Sequence, residues 1–326
     1  MHRLISLVLL VLAIASPSVT PRTQSGRLVV LNKEEATLVT VDPASGKVLG
    51  RVSTGEAPHE VTVSDDGKTA FVGNYGSQTP GSTLSVIDLT SMKELRRVDV
   101  SPLRRPHGVF FRNGSVYFTA ETNRILARYD PAANKIDWLL GTGQAGTHMV
   151  WVNGDATRMY ACNIGSDSII IVERGANPTA WSETVIPVGK GPEGFDVSPD
   201  GRQLWAAHSR DGGASIVDLE QKKVIETLSL QTKRSNRLKF TPDGRLALVS
   251  DLDAGEVVVI DVPTRKVTKR IPLGKSVEGI LMQPDGARAY VAVNGENYVA
   301  ILDLKTLTVA GRIEPGRGPD GMAWAQ

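Results

Sequence analysis

From Gly26 onward apolar and polar positions alternate with a period of two in short runs, the pattern that buries one face of a β-strand and leaves the other to its neighbours. An acidic residue closes one such run in every repeat: Val41-Asp42, Ile87-Asp88, Tyr129-Asp130, Val172-Glu173, Val217-Asp218, Ile260-Asp261 and Leu302-Asp303, at separations of 42 to 46 residues. A period in this range, made of strands and tight turns without a helical pattern, predicts propeller blades of four strands each. One repeat shows the order of its strands: Phe195 to Val197, Leu204 to Ala207, Ala214 to Asp218 and Lys223 to Leu228. Between the first two lies Ser198-Pro199-Asp200-Gly201, where Pro presets φ and Asp and Gly suit a tight return, so this segment and its relatives at Thr241-Pro242-Asp243-Gly244 and Gln283-Pro284-Asp285-Gly286 are structural turns.

The first repeat begins at its second strand, Leu28 to Leu31, and the chain ends on an orphan innermost strand, Met322 to Ala325. Pairing the two removes a pair of exposed sheet edges and closes the ring. The expectation is an all-β, seven-bladed β-propeller of four-stranded antiparallel blades in a single domain over residues 26–326, closed by the C-terminal strand pairing into the N-terminal blade. Segments such as Ser198-Pro199-Asp200-Gly201, Ala289-Tyr290-Val291-Ala292 and Val299-Ala300-Ile301-Leu302-Asp303 resemble the YVTN-repeat β-propeller family of exported bacterial and archaeal proteins. That resemblance covers nearly everything from Gly26 on and implies the architecture. Its members' activities range over surface-layer modules, cofactor-pathway accessory proteins, lactonases and lyases.

Charge and composition narrow the function. With 37 basic and 35 acidic residues and no basic run, the footprint of a nucleic-acid binder is missing. Met1-His2-Arg3, an apolar run from Leu4 to Ala15 and then Ser16-Pro17-Ser18 follow the order of a secretory signal, so residues 1–18 are expected to be a signal peptide and the mature chain an exported protein, periplasmic or extracellular, with no membrane span. Cys162 is the only cysteine and sits in a strand pattern, where it reads as a small buried hydrophobe. No phosphate-cradling glycine loop, nucleophile elbow or paired cysteines occur.

In a propeller the start of each innermost strand and the end of the second strand lie on one face, with the variable loops. Superposing the repeats places His59, His107, His148, Glu193, Asn236, Glu278 and Asp320 at one position, immediately before the innermost strand. A second ring, at the end of the second strand, reads Asn32, Asn74, Ala120, Asn163, His208, Asp251 and Val293. Apart from His2, every histidine falls in one of these rings. Three imidazoles on consecutive blades are suited to a divalent metal ion, with Glu193 or Glu278 as a general base, a set that would serve lactone hydrolysis or elimination from an activated ring. Asn74, Asn163, His208, Asn236 and Asp320 are the accompanying candidates for ligand binding. The plainer reading is that Pro-His segments are ordinary entries to inner strands and that polar groups at a channel mouth bind water.

The residue after the first ring is Gly108, Gly194, Gly279 or Gly321 in four blades but Glu60, Met149 and Arg237 in the others. Arg237 opposite the histidines is suited either to a bidentate grip on a ligand carboxylate or phosphate, or to a salt bridge with Glu193 or Glu278. The leading expectation is therefore an exported, monomeric propeller that binds a small anionic ligand, through a metal, with lactonase- or lyase-like chemistry. The alternative is a non-enzymatic scaffold whose face or rim binds another protein.

Overall fold

A computed structural model describes residues 26–326, so the expected signal peptide lies outside the described residues. Twenty-eight strands form seven four-stranded antiparallel sheets. In six blades the strands follow chain order from the channel outward. Blade 1 combines the C-terminal Pro319–Ala325 as its inner strand with Arg27–Asn32, Thr37–Val41 and Val48–Ser53. Leu28 pairs with Trp324 and Val29 with Ala323, so the ring is closed by backbone hydrogen bonds between the two ends of the chain. The inner strands of blades 2 to 7 are Pro58–Val63, Pro106–Arg112, Thr147–Val152, Pro192–Val197, Ser235–Phe240 and Val277–Met282. Among the described residues the exceptions to an all-strand fold are two single-turn 3₁₀ helices, Glu121–Asn123 and Asn294–Glu296. Among the described residues no helix is long and apolar enough to cross a membrane.

Middle strands are buried on both faces, as in Ile169 to Val172 and Val257 to Ile260, because each sheet packs on a neighbour at either side. One cluster joins Leu248, Val257 and Val259 of blade 6 to Val291, Val293 and Ala300 of blade 7, and the others straddle blade boundaries in the same way. The Ser198 turn closes as expected: Gly201 donates to the Ser198 carbonyl at 2.8 Å, and the Ser198 hydroxyl donates to Asp200 at 2.6 Å. Cys162 is buried, and its thiol donates across a blade boundary to the Glu193 carbonyl at 3.2 Å. Burial pushes that thiol up to about 12, consistent with a packing role.

Every inner strand contains one residue more than its partner opposite the first ring. Pro58 pairs with Asn74 but Val61 with Val72, and the same slip recurs in the other six blades. This β-bulge takes the ring residue out of the regular pleat and re-aims its side chain into the channel. Here neighbouring backbones crowd. A Cβ on Gly321 would lie 2.1 Å from the His59 carbonyl oxygen of the next blade, and one on Gly279 2.2 Å from that of Asp320. Gly194 and Gly108 stand likewise against Asn236-Arg237 and His148-Met149. Three of the four glycines thus face the blades that carry Glu60, Met149 and Arg237, leaving those large side chains to fill the centre.

Gly321→Ala should destabilise the fold by about 1–3 kcal/mol, the usual cost of overpacking, and because the obstacle is backbone the upper end is expected. Urea denaturation checks this, and an unchanged midpoint would mean the blades separate freely at this point.

Candidate functional site

The bulges gather all seven first-ring side chains around a cavity of about 640 Å³ on the loop face. One wall is a cluster of rings. His59 lies 4.5 Å from Tyr75 and 5.2 Å from His107 between ring centres, His107 packs against His148 at 3.7 Å with the rings tilted by 32°, and Tyr75 meets His107 edge-on at 5.3 Å. Tyr75 belongs to the long loop of blade 2 and carries the Arg105 guanidinium 4.5 Å above its ring. Its hydroxyl donates to Glu121 Oε1 at 3.1 Å, and Glu121 Oε2 lies 2.9 Å from His148 Nδ1. A carboxylate can only accept, so Nδ1 of His148 carries a hydrogen, and in the neutral ring Nε2 is the free lone pair. By the same logic His59 donates from Nδ1 to the Ala57 carbonyl at 2.9 Å. Burial lowers His59 to about 4, and it holds His107, beside the His148 ring, well below the ordinary imidazole value. For Glu121 burial acts upward but is outweighed by the hydrogen bond from His148, which keeps it ionised.

Across the channel, Lys33 Nζ lies 2.8 Å from Glu278 Oε2 and 3.3 Å from Asp320 Oδ2. Burial, then the charge of Asp320, raises Glu278 to about 8. Burial acts upward on Asp320 as well, but Lys33 outweighs it and holds that carboxylate low. For Lys33 the two carboxyl groups more than offset burial and keep it charged. Near neutral pH the trio thus contains a lysine cation, an aspartate anion and a protonated glutamic acid. Glu193, on the intervening wall, accepts from Asn236 Nδ2 at 2.8 Å.

Arg237 lines the cavity, and its salt bridge is to neither Glu193 nor Glu278. Its Nη2 donates to Glu60, reaching from blade 6 to blade 2, while Nη1 lies 3.2 Å from Asn236 Oδ1. With Met149 this buried pair divides the cavity from a mainly apolar chamber of about 290 Å³ at the turn end of the channel. Burial opposes the charge on Arg237, but Glu60, Asp320 and Glu193 outweigh it.

The second ring stands differently from the expectation. Asn74 accepts from Gly55 N and donates to Thr83 and Ser85, each at 3.0 Å, and Asn163 accepts from Thr147 Oγ1 at 2.9 Å and donates to Ser168 Oγ at 3.1 Å. His208 is fully buried with Nδ1 2.9 Å from Asp211. None of the three lines the cavity. The residues that do are one position further along: Lys33, Tyr75, Glu121, Ile164, Ser209 and Leu252. Side chains alternate along a strand, so a one-residue offset exchanges a group inside the blade for one facing the channel. Lys33, Tyr75 and Glu121 could have been found from the sequence by advancing the second ring one residue.

Two imidazoles on one zinc at the usual 2.0–2.1 Å, in tetrahedral geometry, have ring centres roughly 5 Å apart. His59 and His107 meet that spacing, but the ring centres of His107 and His148, 3.7 Å apart, are too close for it. Among the described residues no group of three His, Cys, Asp or Glu side chains is arranged to hold a metal ion. As folded, the three histidines do not fit as joint ligands of a single ion.

Two measurements test this electrostatic arrangement. Arg237→Met should cost about 3–5 kcal/mol by stranding Glu60, whereas the double variant R237M/E60M should recover most of it; additive losses in urea denaturation would dissolve the proposed coupling. Folding raises Glu278 from the ordinary 4.5 to about 8, so its contribution is fully present below that ordinary value and is lost as pH rises through about 8. Glu278→Gln should therefore gain stability relative to the parent between about pH 5 and 8, and a constant difference would contradict the raised value.

Solved structures of similar shape span unlike activities. The periplasmic gluconolactonase of Pseudomonas aeruginosa superposes with a TM-score of 0.74 at 18% identity, covering 92% of this chain and 99% of that one. Kuenenia stuttgartiensis hydrazine synthase does so at 0.75 and 17%, over 89% and 99%. A functionally unknown protein from Desulfotomaculum acetoxidans DSM 771 gives 0.78 at 11% identity, over 93% and 99%. No curated protein matches the sequence. At these identities the likenesses establish the fold alone. The family model for YNCE-like beta-propellers matches residues 5–324, nearly the whole chain, and the protein belongs to that family.

Proposed function

We propose that the protein is an exported, lactonase-like propeller that binds a small anionic lactone on its loop face and opens the ring by hydrolysis. The observation that supports this reading is the pairing of unlike groups across one cavity: His148, tied to a carboxylate through Nδ1, stands on blade 4, and a protonated Glu278 stands on blade 7. An oriented imidazole nitrogen and a protonated carboxyl group on opposite sides of one cavity supply a general base and a general acid.

In this mechanism His148 Nε2 takes a proton from water as the water oxygen bonds to the lactone carbonyl carbon. The carbonyl π pair moves to its oxygen. Collapse of the tetrahedral intermediate breaks the ring carbon–oxygen bond, and the departing oxygen takes the proton of Glu278. The sum is lactone plus water to hydroxy acid, and solvent returns a proton from His148 to Glu278. Arg210 and Arg234 at the cavity rim favour an anionic substituent on the substrate. Glu193 serves by fixing Asn236. Export is supported by the charged, apolar, small-residue order of Met1 to Ser18, and a lactone substrate is in keeping with the similar fold of a periplasmic gluconolactonase.

Acid release from five- and six-membered lactones carrying a carboxylate or phosphate tests the reading. His148→Ala and Glu278→Gln should each lower kcat/KM by about 10²–10⁴-fold. In the parent, activity should fall above about pH 8 as Glu278 ionises, and that limb should vanish in E278Q. Full activity in E278Q, or no turnover by the parent, would refute the mechanism.

A further inference from the structure

His107 occupies the middle of the imidazole wall, yet its hydrogen bonding differs from that of its neighbours. His59 and His148 each have Nδ1 bound to an acceptor, a carbonyl and a carboxylate. Nδ1 of His107 is buried and has no hydrogen-bond partner among the described residues, in a residue that is 2% exposed. The backbone around it is already engaged: the following amide, Gly108 N, donates to Thr119 Oγ1 at 3.0 Å, and that hydroxyl donates onward to the His148 carbonyl at 2.6 Å.

A buried N–H without an acceptor is rarer and costlier than a buried lone pair without a donor. Placing hydrogen on Nδ1 would strand a donor there, and so would a doubly protonated ring. The remaining form is neutral, with a bare Nδ1 and hydrogen on Nε2. The Nδ1 hydrogen bonds give His59 and His148, as neutral rings, the opposite tautomer, so the wall of neutral imidazoles presents acceptor, donor, acceptor in order along three blades.

We propose that His107 is an Nε2–H hydrogen-bond donor and the oxyanion-stabilising residue of the site, its N–H meeting the carbonyl oxygen of a bound ester or lactone. This rests on the hydrolytic reading for its catalytic half. It assigns the middle histidine a role distinct from both the base beside it and a metal ligand. A neutral imidazole suits the task, since it stabilises developing negative charge without first forming a tight ion pair with a ground-state anion. The tilted contact with His148, 3.7 Å between ring centres, places donor and base on adjacent positions of one wall, as attack of water on a carbonyl held by His107 requires.

The experiment is ¹⁵N–¹H long-range correlation spectroscopy on the full mature protein, with histidines assigned from single variants, joined to kinetics of His107→Leu and His107→Gln. The expected spectrum shows hydrogen on Nε2 for His107 and on Nδ1 for His59 and His148. Hydrogen on Nδ1 of His107, a charged ring, or a joint shift of all three histidines on adding one equivalent of zinc would overturn the assignment. In kinetics, H107L should lower kcat by about 10²–10³-fold with little change in KM, and H107Q, which keeps an N–H donor, should recover part of the loss. Equal kcat in H107L and the parent would overturn the catalytic role. If the parent opens no lactone, the hydrolytic reading and that catalytic role fall together, while the spectrum still decides the tautomer.

Discussion

Seven four-stranded sheets can surround one channel only where their inner strands bring backbone against backbone, and that crowding governs what the channel can contain. At the first-ring bulge a Cβ on Gly321 or Gly279 would fall inside contact distance of the neighbouring blade's carbonyl. Glycine relieves the crowding on one blade, and the next is then free to carry a large side chain. The result is a ring in which Glu60, Met149 and Arg237 project into the space that glycines leave. Without this alternation the channel would be open from face to face or too crowded to close.

The polar character of the site follows from the same geometry. A bulge turns each first-ring residue towards the axis, so seven polar side chains, most of them buried, share one cavity. Charges in that position must be paired or neutralised. Arg237 is neutralised by Glu60 from across the channel, and Lys33 sits between two carboxyl groups of which one keeps its proton. His59 and His107 stay neutral because burial outweighs the pull of the neighbouring Asp320 carboxylate on His59, and His107 sits beside imidazoles rather than a carboxylate. Desolvation therefore acts in opposite directions on the two walls, holding bases unprotonated on one and an acid protonated on the other.

Loops supply what the repeated framework cannot. Tyr75 extends from the insertion of blade 2, and Glu121 from the single helical turn of blade 3, and together they hold His148 from outside the ring. Arg105 on the same loop system covers the Tyr75 ring. The scaffold fixes where the imidazole stands, and these irregular segments fix which of its nitrogens is the base.

Much of this was legible in one dimension. The acidic punctuation from Asp42 to Asp303, the Asp-Gly turns and the missing inner strand of the first repeat specify blades, their number and the closure at Trp324, because strand periodicity and turn chemistry are local properties. The first ring was legible too, since superposed repeats bring His59, His107, His148, Glu193, Asn236, Glu278 and Asp320 to equivalent places. The facing of the second ring was not: Asn74, Asn163 and His208 serve their own blades, and Lys33, Tyr75 and Glu121 reach the cavity, because the bulge and the alternation of strand faces are settled only when strands pair. Nor could spacing reveal that Arg237 would meet Glu60, 177 residues away, or that His107 would pack against His148 with a nitrogen unpartnered among the described residues. Those features depend on distances across a closed ring, and closure is a property of all seven blades together.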